Sequence, residues 1–357
     1  LSPKIAPPQS VAAILNGLQG ADSMVRQFPV EPFDTFRHRV VAYNKAQRAY
    51  RQNRGKPDEQ KYHQARKTIT KGARTNYVEM VRNRFLRRIH TETGFRERVV
   101  FFWQDHFTAR GKSNITRQAT GPYVEDVIRP NITGKFGDLL IAAVTHPLML
   151  HYLDQAQSAG PNSKIAKRAE QRGRIRGLNE NLAREVLELH TLGVSAGYTQ
   201  DDVRQLAELF TGMTIDKELL FSFNAAISEP GAETVLGKTY GKQASVENVT
   251  EALRNLARHP ATARYISEKL ARHFVADRPA EALVNELEAT YRETGGDLMS
   301  LYTVLLNHPA SWADTPEKVK RPFDFMATSL RALDIDNGLL GKTREQDLRN
   351  ILYIPMQ

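Results

Sequence analysis

Apolar side chains recur at intervals of three and four residues along most of this chain, and no other feature constrains its fold as strongly. Sequence typical of strands is confined to residues 219–241, where the runs LLFSF and TVLGKTY flank the turn-rich segment SEPGAE. Spacing of about 3.6 residues indicates amphipathic helices, whereas short runs of β-branched and aromatic residues indicate strands. The sequence therefore predicts a mainly α fold, a large irregular helical domain with one small β-hairpin insertion.

The composition is that of a globular protein without covalent cross-links. The chain has 357 residues, of which 41% are apolar and 25% are charged, enough for one large domain or two ordinary ones. The absence of cysteine excludes disulfides, thiolate nucleophiles and cysteine-ligated zinc. No apolar run reaches the ~18 residues that a membrane span needs, so no transmembrane segment is predicted.

The net charge of +10 is concentrated in residues 37–90, which we call the basic arm. This segment holds sixteen Lys and Arg against three Asp and Glu, a net charge of +13, which leaves −3 for the rest of the chain. Such a charge suits an anionic polymer or an anionic surface. No nucleic-acid-binding module surrounds the tyrosines of the arm, so nucleic acid is disfavoured. The alternative is a solvated helical hairpin that binds nothing.

The domain boundaries predicted from the sequence follow this change in composition. Three segments are expected: N-terminal helices with the basic arm over 1–92, a helical core domain over 93–335 with the hairpin near 219–241, and a C-terminal segment over 336–357.

Local signals within the core domain predict caps and one loop. Thr199, with Asp202 three residues later, predicts a capping box that opens a helix. Three His-Pro pairs, which begin at His146, His259 and His308, also suit helix ends. Residues 155–178 are polar, basic and punctuated by glycine, which predicts a loop.

The segment from Asn179 to Gly193, NENLAREVLELHTLG, is the densest in chemically reactive side chains. A single helix is expected there, with an apolar stripe made by Leu182, Val186 and Leu189. Its opposite side carries Asn181, Arg184, Glu185 and Glu188, and His190 lies at the edge of the apolar stripe. This polar side is either a solvated surface with an Arg184–Glu188 ion pair or the wall of a functional site.

A second candidate segment, FRERVVFFWQDHFT, is aromatic and predicts a helix from about Phe95 to Thr108. Trp103 and His106 share one face of it. They are either core residues or an aromatic platform beside an acid–base imidazole.

His151 and Asp154, also three apart, could ligate a metal or orient a base, although a capping or core role is the alternative.

Five motifs in this order carry a family resemblance: FFWQDHF, HPLMLHYLD, NENLAREVLELHTLGVSAGYTQDDVRQLAELFTG, VLGKTYG and HPATARYISEKLARHFVAD. Over roughly residues 80–335 the chain resembles the bacterial family called DUF1800, a domain of unknown function. The resemblance implies a large, mostly helical bacterial protein, often exported and encoded near phosphatase- or sulfatase-like proteins. The expected location is therefore the periplasm or the extracellular space.

The sequence departs from the family pattern at three places. Ser228 stands where members commonly have a histidine, so a metal or catalytic group there would be missing. Met213 replaces the tryptophan that usually follows the Thr-Gly pair. The chain stops at Gln357, where relatives continue with a Pro- and Trp-rich tail, so a site completed by that tail is expected to be missing.

The leading hypothesis is a hydrolase or lyase that cleaves an extracellular or periplasmic polymer such as a glycan. Glycoside cleavage needs an acid and a second carboxylate. Arg184 between Glu185 and Glu188 would hold both pKa values down, which is wrong for a general acid. The expected catalytic residues are Glu185, Glu188, His190 and His106, and the expected substrate-binding residues are Trp103, Asn181, Arg184 and Asp105.

Two other functions stay open from the sequence. In the first, a divalent metal ion, which the sequence allows but does not require, supports hydrolysis. Its candidate ligands are His106, His151, Glu185, Glu188 and His190, although no HExxH-type spacing is present. In the second, the protein is a non-catalytic binding or scaffold protein whose basic arm holds an anionic partner.

Overall fold

A computed structural model describes residues 10–113, 115–173, 177–312 and 318–334. Its helices, in chain order, are α1 (Val11–Gln19), α2 (Ser23–Gln27), α3 (Phe33–Gln52), α4 (Glu59–His90), α5 (Gly94–His106), α6 (Thr120–Tyr123), α7 (Arg129–Asn131), α8 (Phe136–Thr145), α9 (Pro147–Tyr152), α10 (Lys164–Glu170), α11 (Asn181–Glu185), α12 (Gln200–Phe210), α13 (Val246–Ala257), α14 (Pro260–Phe274), α15 (Glu281–Thr294), α16 (Leu298–Asn307) and α17 (Pro322–Ala332). Shorter helical turns are the 3₁₀ segments Thr116–Ala119, Gln155–Gln157 and Pro309–Trp312 and the π segments Val124–Ile128 and Val186–His190.

The predicted mainly α class is confirmed, but in the described part of the chain the β structure consists of two small hairpins, where one was expected. Strands β1 (Met213–Ile215) and β2 (Phe221–Phe223) pair antiparallel, and so do β3 (Glu233–Val235) and β4 (Lys238–Tyr240). The run TVLGKTY is therefore a hairpin by itself. Leu236 and Gly237 at its turn both have positive φ, 50° and 76°, which a tight two-residue hairpin turn requires.

The chain divides into two compact units that do not follow the boundaries expected at residues 92 and 335. The first unit contains residues 1–103, 113–129 and 315–357, and the second contains 104–112 and 130–314. The physical reason lies in an apolar cluster of the first unit. Phe323 and Ala327 of α17 pack there with Phe85, Leu86 and Ile89 of α4, a contact between distant segments that composition cannot reveal.

Within the first unit, α3 and α4 form an antiparallel helical hairpin that contains the basic arm. Only part of the arm is a cationic surface. Near the end of α4, Arg87 is fully buried and donates to the Phe28 carbonyl oxygen, and Arg88 pairs with Asp324. These two arginines therefore serve the core and do not contribute to the cationic surface.

Within the second unit, the predicted helix caps are confirmed. The Nδ1 atoms of His146, His259 and His308 each accept a hydrogen bond from the backbone N–H two residues later, at 3.1 Å. Thr199 and Asp202 form the reciprocal capping box before α12. Each cap satisfies a backbone donor that the first turn of a helix leaves without a partner.

The loop expected over 155–178 is partly helical. It contains the 3₁₀ turn Gln155–Gln157 and helix α10, whose first turn is capped by the Ser163 hydroxyl, 3.2 Å from the Ala166 nitrogen. The predicted C-terminal segment, 336–357, lies outside the described residues. Among the described residues, no helix combines the length and the apolar character needed to cross a bilayer.

Candidate functional site

The central helix starts as an α-helix and changes its winding halfway. The Asn179 side chain accepts a hydrogen bond from the Asn181 nitrogen (2.9 Å), which opens α11. From Val186 to His190 the backbone forms a π-helix, whereas a single α-helix was expected, and Gly193 follows with φ +88°. The Thr191 hydroxyl donates to the Val186 carbonyl oxygen at 2.7 Å, which supports the wider turn. Such π segments occur frequently at functional sites.

The buried side of this helix differs from the predicted stripe. Leu182 and Val186 are buried as expected, but Leu189 is 42% exposed and Leu187 takes its place in the core. The burial pattern differs from the prediction because Phe107 packs against this side of the helix. His190 turns inward, and its ring lies 5.1 Å from the Phe107 ring, centroid to centroid.

The polar side of the helix is a network of charges at the protein surface. Arg184 pairs with Glu180, one turn before it, at 3.1 Å and with Glu188, one turn after it, at 3.5 Å. Gln200 accepts a hydrogen bond from Arg184 and donates one to Glu180. The predicted ion pair between Arg184 and Glu188 is present, and the guanidinium group is directed towards these two carboxylates.

Glu185 lies in a different electrostatic environment from Glu188. Its partial burial and the nearby Glu188 carboxylate raise the pKa of Glu185 above its usual value. The expectation that Arg184 would lower the pKa of Glu185 is therefore wrong. Glu188, in contrast, pairs with Arg184 and accepts a hydrogen bond from the Tyr198 hydroxyl. Two carboxyl groups whose surroundings differ in this way can divide the roles of proton donor and ionised partner.

His106 and His190 come together, but inside the core. The His106 Nε2 atom lies 3.1 Å from the His190 carbonyl oxygen, and the two rings are 5.9 Å apart. Burial and the nearby positive charge of Lys269 lower the pKa of His190 to about 3 and that of His106 well below its usual value. Both rings are thus neutral at physiological pH. Only 5% of His106 and 3% of His190 is exposed, an environment that disfavours acid–base catalysis by these residues, and their catalytic role stays a prediction.

The predicted substrate-binding residues have different environments. Trp103 is fully buried and meets the Phe102 ring edge-on, with 4.8 Å between centroids, so we correct its assignment as a sugar platform. Asn181 and Asp105 are exposed, and Arg184 is half-buried. A substrate-binding role for these three residues stays a prediction.

The metal hypothesis gains no support from the geometry. Within the described part of the chain, no group of three or more histidines and carboxylates is placed to hold a metal ion. Asp154 pairs with Lys112 at 2.6 Å, and the burial of His151 together with this lysine lowers the pKa of that histidine. Asp154 is thus engaged by a lysine, and a ligand role for His151 and Asp154 stays a prediction.

Sequence reasoning missed a second carboxyl pair, Glu208 of α12 and Glu233 of β3. Their carboxyl groups share a hydrogen bond, and burial together with Glu208 raises the pKa of Glu233 to about 7. Glu229 lies close by, where it accepts hydrogen bonds from the Asn162 backbone and side chain. The residues lie 25 positions apart or fewer in sequence, but only the folding of β3 onto α12 joins them.

This pair gives a prediction for the pH dependence of stability. A carboxyl whose pKa is raised on folding stabilises the protein below its unfolded pKa, and that contribution is lost as pH rises through about 7. Because Glu208 is only half-buried and its charge is partly screened, replacing Glu233 with Gln should stabilise the protein by only about 1–2 kcal/mol at about pH 8, with little change at about pH 5. Urea unfolding at both pH values measures this. The exposed Glu170→Gln variant is the control, and an equal gain in it would contradict the prediction.

These observations define a mainly helical, two-unit protein with a carboxylate-bearing helix at its surface. The family described as "Protein of unknown function (DUF1800)" matches residues 8–353, so the chain belongs to this family. The resemblance seen in the sequence is thereby confirmed and extends over nearly the whole chain. Comparisons with curated proteins and with solved structures found no match.

Proposed function

We propose that this protein is a hydrolase or lyase that cleaves an extracellular or periplasmic polymer, such as a glycan, with Glu185 as the proton donor. One observation carries the proposal: Glu185 is partly open to solvent and holds its proton more tightly than an ordinary glutamate, beside a second carboxylate on the same helix. A general acid needs this combination of access and raised pKa.

The neighbouring side chains have matching roles. Glu188, held by Arg184 and Tyr198, acts as the ionised partner that stabilises positive charge at the reacting sugar or activates water. In this proposal Asn181 and Arg184, one turn before these carboxylates, contact the polymer; the exposure of Asn181 supports this role. The proposed location outside the cytoplasm is supported by the export common among proteins that this sequence resembles.

Replacing Glu185 with Gln tests the proposal, because glutamine keeps the shape but cannot donate the proton. We expect turnover to fall by about 10²- to 10⁴-fold, with no loss of thermal stability. The assay measures release of reducing ends from polygalacturonate, hyaluronan and heparin. Ultraviolet absorbance of an unsaturated product separates a lyase from a hydrolase.

Glu180→Gln is the matched control, since it removes the same charge from the same Arg184 cluster one turn and a half away. Its activity should stay within about threefold of wild type, as expected for a weak surface ion pair. Equal losses in both variants would assign the effect to Arg184 and refute the role of Glu185. Glu208→Gln, in the other carboxyl pair, shows whether that pair is the catalytic one.

A second candidate function is anion binding through the basic arm. The observation that favours it is the set of exposed cations of α3 and α4 that make no ion pair with any described carboxylate: Lys45, Arg48, Arg51, Lys61, Lys67 and Lys71. Unneutralised charge of one sign attracts polyanions and speeds their association. This role can accompany catalysis or exist without it.

A further inference from the structure

The basic arm has two different faces, and its helix–helix contacts decide which residues lie on each. Arg66 of α4 donates to the Gln47 side chain at 3.0 Å, and its guanidinium lies 4.7 Å from the centre of the Tyr50 ring. These contacts fix the sides by which α3 and α4 face each other. Because successive residues of an α-helix are rotated by about 100°, the positions of all the remaining side chains around α3 and α4 follow from these contacts.

Four exposed cations fall on one face. Around the axis of α3, Arg48 and Arg51 are rotated away from the side that contacts α4. Around the axis of α4, Lys67 and Lys71 are rotated in the same direction away from the side that contacts α3. Because the helices are antiparallel, equal rotations bring both pairs onto the same side of the hairpin. We call this set the cationic face. Neighbouring cations on one helix have Cβ atoms ~5–6 Å apart.

The opposite face is lined mainly by small side chains, Ala42, Ala49, Ala65, Thr68 and Thr75. Exposed charge is therefore denser on the cationic face, although Lys61 lies on the opposite side of α4 and Lys45 at the back of α3. A solvated hairpin that binds nothing has no physical need for such sorting, since like charges on adjacent turns repel one another.

The chemistry of the cationic face excludes two kinds of partner. Bilayer insertion uses several exposed apolar side chains beside the cations, whereas α3 and α4 expose one large hydrophobic side chain, Tyr77, which is 37% exposed and lies six residues beyond Lys71. Binding of unpaired bases uses exposed aromatic rings, but the Tyr50 ring packs between Arg66 and His63, 5.6 Å from the His63 ring. The partner that fits is recognised by charge alone.

We propose that the cationic face binds a linear polysaccharide that carries carboxylate or sulfate groups. A row of cations at helical spacing complements a chain of regularly repeated anions. The planar guanidinium groups of Arg48 and Arg51 match carboxylate and sulfate oxygens in pairs. This inference rests on the proposed anion-binding role of the arm and is independent of catalysis by Glu185.

The experiment compares the full-length protein with a variant that replaces Arg48, Arg51, Lys67 and Lys71 with Gln. Fluorescence anisotropy with labelled polygalacturonate and labelled heparin, at low salt, measures affinity. We expect at least about a tenfold loss of affinity for one of these polymers. The slope of log affinity against log salt should fall by about 3, since each charge contact contributes about 0.7 for a flexible polyanion. An unchanged thermal midpoint establishes that the variant is folded.

The matched control neutralises four exposed cations of α10 and the residues after it: Lys164, Lys167, Arg168 and Arg172. A lower net charge by itself weakens the binding of any polyanion. Beyond that general effect, the affinity of the control variant for the polysaccharides should change by less than about twofold. Equal losses in both variants, or no binding of either polysaccharide by wild type, would overturn the inference.

Tighter binding of anionic phosphatidylserine vesicles or of oligothymidylate would overturn the assignment to a polysaccharide. Because binding is measured without turnover, an inactive Glu185→Gln variant that still binds leaves the inference intact.

Discussion

Replacing Arg129 with Met is expected to destabilise the protein by about 3–5 kcal/mol, because it strands buried carboxylates. Arg129 bonds both oxygens of Glu97, at 2.8 and 3.0 Å, and also Asp22 at 2.7 Å. The Arg129 and Glu97 side chains are 9% and 7% exposed. Their charges are compensated by each other and not by water. Urea unfolding at neutral pH measures the loss.

Arg264→Met is the matched control, since Arg264 also contacts several carboxylates, Glu268 and Glu281 among them. Its side chain is 33% exposed, so water can replace the lost contacts and the cost should be about 1 kcal/mol or less. Adding Glu97→Gln to Arg129→Met should recover part of the stability by removing one stranded charge. An Arg129 variant as stable as the Arg264 variant would show that the network is solvated.

Acidification is expected to destabilise the protein through His190, and replacing this residue with Leu should remove much of that sensitivity. The folded pKa of about 3 lies below the usual 6.5. The neutral ring therefore stabilises the fold above the unfolded pKa, and this contribution is lost as pH falls towards the folded pKa. At 1.36 kcal/mol per pKa unit, His190 alone accounts for a loss of roughly 3 kcal/mol between about pH 6.5 and about pH 4.

Leucine suits this site because the His190 Nδ1 atom is buried without a hydrogen-bond partner among the described residues. At neutral pH the His190→Leu variant should therefore be at least nearly as stable as wild type, within about 1 kcal/mol. Its unfolding free energy should fall less steeply below about pH 6, since one fewer buried imidazole must be protonated. The control is His38→Gln, which removes an exposed histidine. A steep acid slope that persists in His190→Leu would contradict the assignment.

Two neighbouring residues, His106 and Lys269, determine how much of the acid sensitivity the His190→Leu variant can remove. His106 also has a strongly lowered pKa and keeps its own acid sensitivity, so the variant should lose only part of the slope. Burial lowers the pKa of Lys269, although Asp105 opposes that effect. The positive charge of Lys269 is one reason why a second charge on the imidazoles is unfavourable. The same electrostatics explains why these histidines are poor general acids or bases at neutral pH.

Much of the candidate site could be predicted from the sequence because it is local. Arg184, Glu185 and Glu188 lie on one helix, and their spacing places them on one side whatever the rest of the chain does. The Arg184–Glu188 pair followed from that spacing. The direction of the Glu185 pKa shift could not be predicted from the spacing, because it depends on which carboxylates pair with the Arg184 guanidinium group.

Long-range contacts could not be predicted in the same way. Trp103 and His106 have residue types that suit either a platform or a core, and burial alone distinguished the two. The Glu208–Glu233 pair joins a helix to a strand across a separate hairpin, and no spacing rule links them. The two units combine segments that are distant in the chain, so their limits do not coincide with changes in composition.

The amino-acid sequence by itself determined the helical class, the family, the helix caps and the order of charges along the central helix. Each of these depends on backbone geometry and on neighbours within a few residues. Which side chains lose contact with water depends instead on the packing of distant segments: His106, His190 and Trp103 are buried, whereas Glu185 is partly exposed. Desolvation depends on atoms brought together from the whole fold, and it controls both the pKa values and the access that a reactive group needs.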